Sequence, residues 1–359
     1  MSNPDAPTRT ISDFEAKLSE ADKTVAEFAR DDRTPLHIAR AFLRAYPTCI
    51  PALVLLLSLM AFGLLSHRFL TPGTLSLVLQ QVTVTGIVAI AQTVVILTAG
   101  IDLSVGAILV VSALVMGNLA VHMGVPVPLA VAAGMAIGGL MGWINGVLVA
   151  FVKLPPFIVT LGTLSVFSAL KLWYSHSESI RGADITELAP SLLWFGNGIK
   201  FYGATLTYGV LSLLVLAALV WYILNQTAWG RHVHALGDDP DAAMLSGIRT
   251  NRTLVSVYTF AGVICGFGAW VAIGRVGSVS PISFGDVNLA SITAVVIGGT
   301  SLFGGRGSIV GSVLGAIIVG VFTTGLSLAG VDDYWQQFAA GTLVIIAVAL
   351  DQWLRRASQ

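Results

Sequence analysis

GRHVHALGDDPDAAMLSG, residues 230–247, is a polar, charged segment set between two long apolar runs. That placement makes it an internal loop of a membrane protein. Within it, DDPDAAMLSG predicts one short, capped helix. Asp238 or Asp239 supplies the cap, and Pro240 suits the first helical position, where a missing N–H costs nothing. Asp241 complements the positive end of the helix. Ala242, Ala243, Met244 and Leu245 propagate it, Ser246 follows, and Gly247 can take the left-handed stop. A rigid helix in a connecting loop either presents a surface to a partner or merely tidies the connection. Spacing alone does not choose between these.

Composition widens the reading to the whole chain. Of 359 residues, 55% are hydrophobic and 11% charged, with a mean hydropathy of +0.84. Globular domains average about 25% charged residues. The fold class that follows is all-α: a polytopic membrane protein with about ten transmembrane helices, each on the order of 20 residues. The spans fall near 48–66, 74–98, 104–122, 126–152, 157–173, 205–224, 253–274, 289–303, 308–329 and 335–353. The run at 289–303 is short and reads as half of a broken helix. Zero net charge removes the electrostatic case for a nucleic-acid partner. Cys49 and Cys265 are the only cysteines, too few for a disulfide framework or a structural metal site.

Lysine and arginine orient the spans. With a cytoplasmic N-terminus, 14 of the 19 fall inside and 5 outside, the outer ones being Arg68, Lys171, Arg181, Lys200 and Arg275. Both termini and the 230–247 segment are then cytoplasmic, and residues 174–204 lie outside. Three parts result: a cytoplasmic amphipathic segment at 1–46, a transmembrane domain at 47–353, and a cytoplasmic tail at 354–359. In the first, Ser12 with Glu15 fits a capping box, and Ile11, Phe14, Leu18, Val25 and Phe28 recur at roughly helical spacing.

Gly134, Gly138, Gly142 and Gly146 repeat every fourth residue, as do Gly307, Gly311 and Gly315, and Gly262 pairs with Gly266. On helices this spacing clears one face for close backbone packing. Polar groups within the spans are few. Asp102 is expected to cap the helix that starts near Leu103 or to lie at the membrane edge. Gln92 and Asn145 are candidate contacts for a hydroxylated solute, although bonding helix to helix is the commoner use of such amides. VVI recurs at 94–96 and 295–297, each time before a glycine-rich break, but both breaks fall on one side and so do not form an inverted repeat.

The chain carries no G-x-x-x-x-G-K-[ST], no H-E-x-x-H and no G-x-S-x-G, which leaves an intramembrane enzyme without visible chemistry. His232 and His234 are spaced by two, wrong for one helix face and for metal ligation from it. An ion-coupled carrier is the alternative, but such carriers use buried ionisable groups, which are nearly missing here.

Together ILTAGIDLSVGA (96–107), GWINGVLVAFVKLPPFIVTLGT (142–163), GRHVHALGDDPDAAMLSGI (230–248) and AVVIGGTSLFGGRGSIVGSVLGA (294–316) resemble the permease subunit of bacterial ABC importers for monosaccharides. The likeness spans about 47–353 and covers the ribose, xylose, galactose and fructose types, with the fructose permeases most alike. It implies the ABC importer permease fold, an inner-membrane location, a second copy of the permease, a cytoplasmic ATPase subunit and a periplasmic sugar-binding protein. No cofactor is expected on this chain, since ATP and magnesium belong to the ATPase. The likeness places the family's coupling helix on Asp238 through Gly247. Arg181, in mid-loop outside, is the candidate docking residue for the binding protein.

Overall fold

The computed structural model describes residues 48–332, 334–339, 341, 342, 345 and 349. The readings made on 1–46 and 354–359 lie outside them. The elements run α1 (Cys49–Leu65), α2 (Pro72–Ile96), α3 (Val105–Gly117, prolonged by a wider π turn at Asn118–His122), α4 (Val127–Ala150) and α5 (Pro156–Tyr174). A small layered unit follows: α6 (Gly182–Leu188), a 3-10 turn (Pro190–Gly196), β1 (Gly198–Phe201) and β2 (Ala204–Thr207). The rest is α7 (Tyr208–Gln226), α8 (Ala228–Asp238), α9 (Pro240–Leu245), α10 (Thr250–Val276), α11 (Val287–Ile297) and α12 (Ile309–Leu328).

Among the described residues, seven helices are long and apolar enough to cross a membrane: α2, α3 with its π turn, α4, α5, α7, α10 and α12. These match seven of the ten expected spans. At 48–66 the helix has 17 residues, and at 289–303 it has 11, about 16 Å of rise against a hydrocarbon core of about 30 Å. That second element is a half-length helix, entered from the non-helical stretch 277–286. The tenth run, 335–353, lies largely outside the described residues. One boundary is corrected: 205–207 belongs to a strand, and the helix starts at Tyr208. The apolar hairpin residues blend into the following span in any hydropathy window.

α2 is the centre of the bundle. Residues 86–96 are all buried, a helix covered on every side. One core joins α2, α3, α4 and α10. A second joins Phe62 and Phe69 to Val78, Val82, Ala294, Val295 and Val321. The glycine ladders work within the chain. A Cβ on Gly138 would lie 2.5 Å from the Gly262 carbonyl oxygen, and one on Gly146 would lie 2.8 Å from Cα of Val255. Gly262 and Gly266 answer from α10 against α4, so the two backbones touch along a continuous seam. Gly311 and Gly315 likewise bring α12 onto the end of α11.

On the far side from α8 and α9, β1 and β2 pair antiparallel with Phe201 opposite Ala204. The turn residues Tyr202 and Gly203 both have positive φ, 44° and 80°, which suits a two-residue hairpin. Gln80 Nε2 donates to the Thr205 carbonyl and Thr205 N donates to Ser76 Oγ, fixing the hairpin on α2. Ile180 and Val279 exchange backbone hydrogen bonds and tie the same unit to the end of α10.

Candidate functional site: the α8–α9 segment and its seat

The first half of the 230–247 segment is helical rather than a loop. Thr227 Oγ1 accepts from Gly230 N at 3.2 Å and starts α8. Gly230, Val233, Leu236 and Gly237 bury one face of α8, leaving Arg231 and His232 exposed. The two histidines thus stand on a helix, not in a loop, on different faces. No cluster of His, Cys, Asp or Glu suited to a metal occurs among the described residues.

The C-terminal end of α8 is seated between two turns. Its Gly237 has room for no side chain: a Cβ there would run into the Leu97 carbonyl oxygen and lie 2.7 Å from Gly305 N. Gly305 N itself donates to the Leu97 carbonyl at 3.0 Å. His234 Nδ1 sits 3.3 Å from the Gly305 carbonyl. The turn after α2 and the turn after α11 therefore meet beneath α8. Both end their helices with left-handed stops: Gly100 N donates to Val95 O across Ala99 (φ 59°), and Thr300 N to Val295 O across Gly299 (φ 84°).

α9 then projects from this seat. Of the two candidate caps, Asp239 is the one used: its Oδ1 accepts from Asp241 N at 2.9 Å and Ala242 N at 3.0 Å. Asp238 is the last residue of α8 instead. Pro240 opens α9, and Asp241 lies in its first turn. At the far end Ile248 N donates to Ala243 O at 3.1 Å and Gly247 N to Met244 O at 3.0 Å, with Gly247 at φ 84°. This pair of bonds is a Schellman closure. Ser246 Oγ donates to Ala242 O. Of the helical residues, only Ala243 is buried, at 3% exposure, while Met244 is 58% and Leu245 86% exposed. Ala243 therefore faces its own chain, and the outward apolar surface of the segment is Met244 and Leu245.

Gln92 and Asn145 come together, but at the base of α3. Both are fully buried. Gln92 Nε2 donates to the Asp102 carbonyl, and Asn145 Nδ2 donates to Ser104 Oγ at 2.8 Å and to Asp102 Oδ2 at 3.4 Å. Asp102, 1% exposed, accepts from Ser104 N and Oγ through Oδ1, so it closes the turn leading into α3. Thr160 Oγ1 of α5 donates to the Ile101 carbonyl at 2.9 Å. Three helices thus clamp the 101–104 turn. The start of α3 has a second support, from an amide that the sequence offers as a possible helix-to-helix bond without naming its partner. Asn288 Oδ1 on α11 accepts from Gly106 N at 2.6 Å, a helix cap supplied by another helix. Its signal in the sequence is only an asparagine at the head of an apolar run. Arg181 stands apart from all of these. It is exposed at the head of α6, in the unit that carries the hairpin.

Residues 74–348 match the family described as the branched-chain amino acid transport system / permease component. The fructose import permease protein FrcC of Rhizobium meliloti is 51% identical over 345 residues, 96% of each chain. That alignment reaches into the first 46 residues, which the sequence-level likeness left out. The ribose import permease protein RbsC of Escherichia coli K12 is 36% identical over 313 residues, 87% of this chain and 96% of its own. The D-allose transport system permease protein AlsC of the same strain is 34% identical, over 82% and 88%. No solved structure matches. A helical bundle of membrane-spanning length, matched over most of its residues by one permease model and over 82–96% of its length by such relatives, places this chain in the permease-component family of membrane transport systems.

Proposed function

We propose that this chain is the membrane-spanning permease of an ATP-driven monosaccharide importer, with fructose the first cargo to test. The observation that carries the coupling role is the exposure of Met244 and Leu245 on a helix capped at both ends and seated on the turns after α2 and α11. Two large apolar side chains held in water on a rigid support are suited to a partner's groove. Asp238 through Gly247 therefore form the coupling segment, and a cytoplasmic ATPase is the partner. The seat gives ATPase closure a route to both turns at once, and through the 101–104 turn to α3, α4 and α5.

The cargo reading rests on relatives named for fructose, ribose and allose import. Among the described residues Asp102 is the sole buried charged side chain, which suits a neutral solute better than an ion-coupled cycle. Gln92 and Asn145 enter this reading as buried amides whose N–H groups hold the clamped turn, so contact with cargo would require the helices around them to part. Both termini and the α8–α9 segment are cytoplasmic in this scheme, and Arg181 faces the sugar-binding protein outside. Two copies of the chain assemble per complex, since a closed two-fold pair is the commonest assembly and would meet two ATPase domains symmetrically.

The test is uptake of labelled fructose, ribose and allose in cells lacking other sugar importers, with and without the partner ATPase, together with disulfide trapping from a cysteine at Leu245. ATPase-dependent uptake and a trapped permease–ATPase pair are expected. Uptake that persists without the ATPase, driven by an ion gradient, would replace this reading with the carrier.

A further inference from the structure

We infer that the chain holds one anionic glycerophospholipid in a cleft between α4, α7, α8 and α10, on the membrane side where α8 and α9 emerge. The cleft measures about 800 Å³. Trp143 of α4, Phe151 just past its end, Ile223 of α7, Trp229 of α8 and Val263 of α10 give it apolar walls, and Arg252 is the only charged residue lining it. The inference stands apart from the transport reading, because it uses only the wall chemistry and the membrane setting.

The polar groups along the walls are already engaged. Trp229 Nε1 donates to Ser256 Oγ at 2.8 Å, and Ser256 Oγ donates to the Thr253 carbonyl at 2.7 Å. Thr259 Oγ1 donates to the Val255 carbonyl at 2.7 Å. A sugar or other hydroxylated solute would find only the Arg252 guanidinium and the spare lone pairs of two hydroxyls there, too few partners for its hydroxyls, and would lose its hydration. An occupant must therefore be apolar along its body. Its charged end must be negative, because the lining offers one guanidinium and no carboxylate. A guanidinium is a planar fork that matches phosphate oxygens in pairs.

Length agrees with this assignment. Arg252 lies in the first turn of α10, and Val263 is three helical turns deeper. The rise between them is about 16 Å, against about 15 Å for one leaflet of hydrocarbon. The charge thus sits where a headgroup phosphate would lie when the acyl chains fill the cleft. Bulk lipid would wet any such groove. What sets this one apart is a cation at one end, chemistry that selects the headgroup and retains the lipid. Trp229 belongs to the first turn of α8, so the bound lipid borders the root of the α8–α9 segment.

The test uses the full chain in its assembled complex, extracted in mild detergent and weighed by native mass spectrometry, with the co-purified lipids identified by fragmentation. Wild type is expected to retain phosphatidylglycerol or cardiolipin in preference to phosphatidylethanolamine. Arg252→Gln is expected to lower that retention about tenfold, as loss of a charge-assisted contact predicts. Arg231→Gln, on the exposed face of α8 outside the cleft, should leave it unchanged. If Arg252→Gln fails to assemble, wild type decides the matter. Added phosphatidylglycerol should raise its melting temperature and added phosphatidylethanolamine should not. Equal retention or equal protection by the two lipids would overturn the proposal. So would trapping of a protein chain, rather than lipid, by a photoreactive side chain placed at Trp143.

Discussion

The α4–α10 seam and the α8–α9 segment both depend on small residues, and they use them for opposite ends. Along the seam, Gly138, Gly142 and Gly146 meet the backbone of α10, and no room for a side chain is left between the two helices. In the segment, Gly237 and the small, buried Ala243 settle the base against the chain's own turns, and the larger Met244 and Leu245 are turned out. The seam removes side chains to make two helices one body. The segment removes them on one side so that the other can be displayed. Small residues therefore mark close approach in both regions. What separates structure from presentation is where the uncovered apolar neighbours stand: Leu140 and Trp143 lie within a helix of membrane-spanning length, whereas Met244 and Leu245 stand on a short helix outside the spans.

The seam should be the less forgiving of the two. Gly142→Leu places its side chain against the Tyr258 backbone, and overpacking there should cost about 3 kcal/mol or more, since a backbone cannot rotate aside. Little folded protein is expected on size-exclusion chromatography, and wild-type yield would break the distinction drawn here. Ala243→Trp would force bulk inward at a buried position, so it should lower folding yield before it affects any partner.

At the display surface the effect should move from folding to transport. Leu245→Asp is expected to leave melting temperature and yield unchanged while cutting uptake at least about tenfold, the loss of one apolar hot spot at a partner interface. Uptake at the wild-type rate would remove Leu245 from the contact. Gly247→Ala tests the closure that positions the display. Its φ of 84° should cost about 1 kcal/mol locally, with a several-fold loss of uptake and a normal global melt. Gly247→Pro should do more, because it also removes the N–H that bonds Met244 O. Asp239→Ala removes the cap at the other end and should cost about 1 kcal/mol of local stability, restored by Asp239→Asn. Hydrogen exchange over residues 240–246 reads both local changes.

The smallest expected effect lies at the other end of the bundle, in the unit that carries the hairpin. Arg181→Glu should slow association with the sugar-binding protein several-fold at low salt and leave it unchanged at high salt, the mark of an exposed steering charge. Unchanged association rates at low ionic strength would remove it from docking.

What could be read ahead of the structure follows the range of the forces involved. α9 was legible because its cap, its proline and its stop lie within ten consecutive residues and act locally. The glycine ladders were legible as interfaces because one residue type repeats at helical spacing, but their pairing across the fold was not. α8 was missed as a helix: Gly230 and Gly237 lower its propensity, Gly230 being packed on Leu224 at the end of α7 and Gly237 on the distant turns at Leu97 and Gly305. The hairpin was missed because Tyr-Gly is a weaker turn signal than Asn-Gly and its strands have four residues each. The clamp on the 101–104 turn and the Asn288 cap join residues far apart in the chain, and no periodicity announces such pairs.

The seam also has a genetic consequence. Every single-base change at the first or second position of a glycine codon specifies a residue bearing a Cβ, or a stop. Along Gly138, Gly142 and Gly146, where a Cβ would meet backbone rather than a yielding side chain, such a change is a steric error. These codons can drift freely only at their third base. The helix pair that holds the bundle together is thus a place where the gene has almost no neighbouring protein sequence to explore.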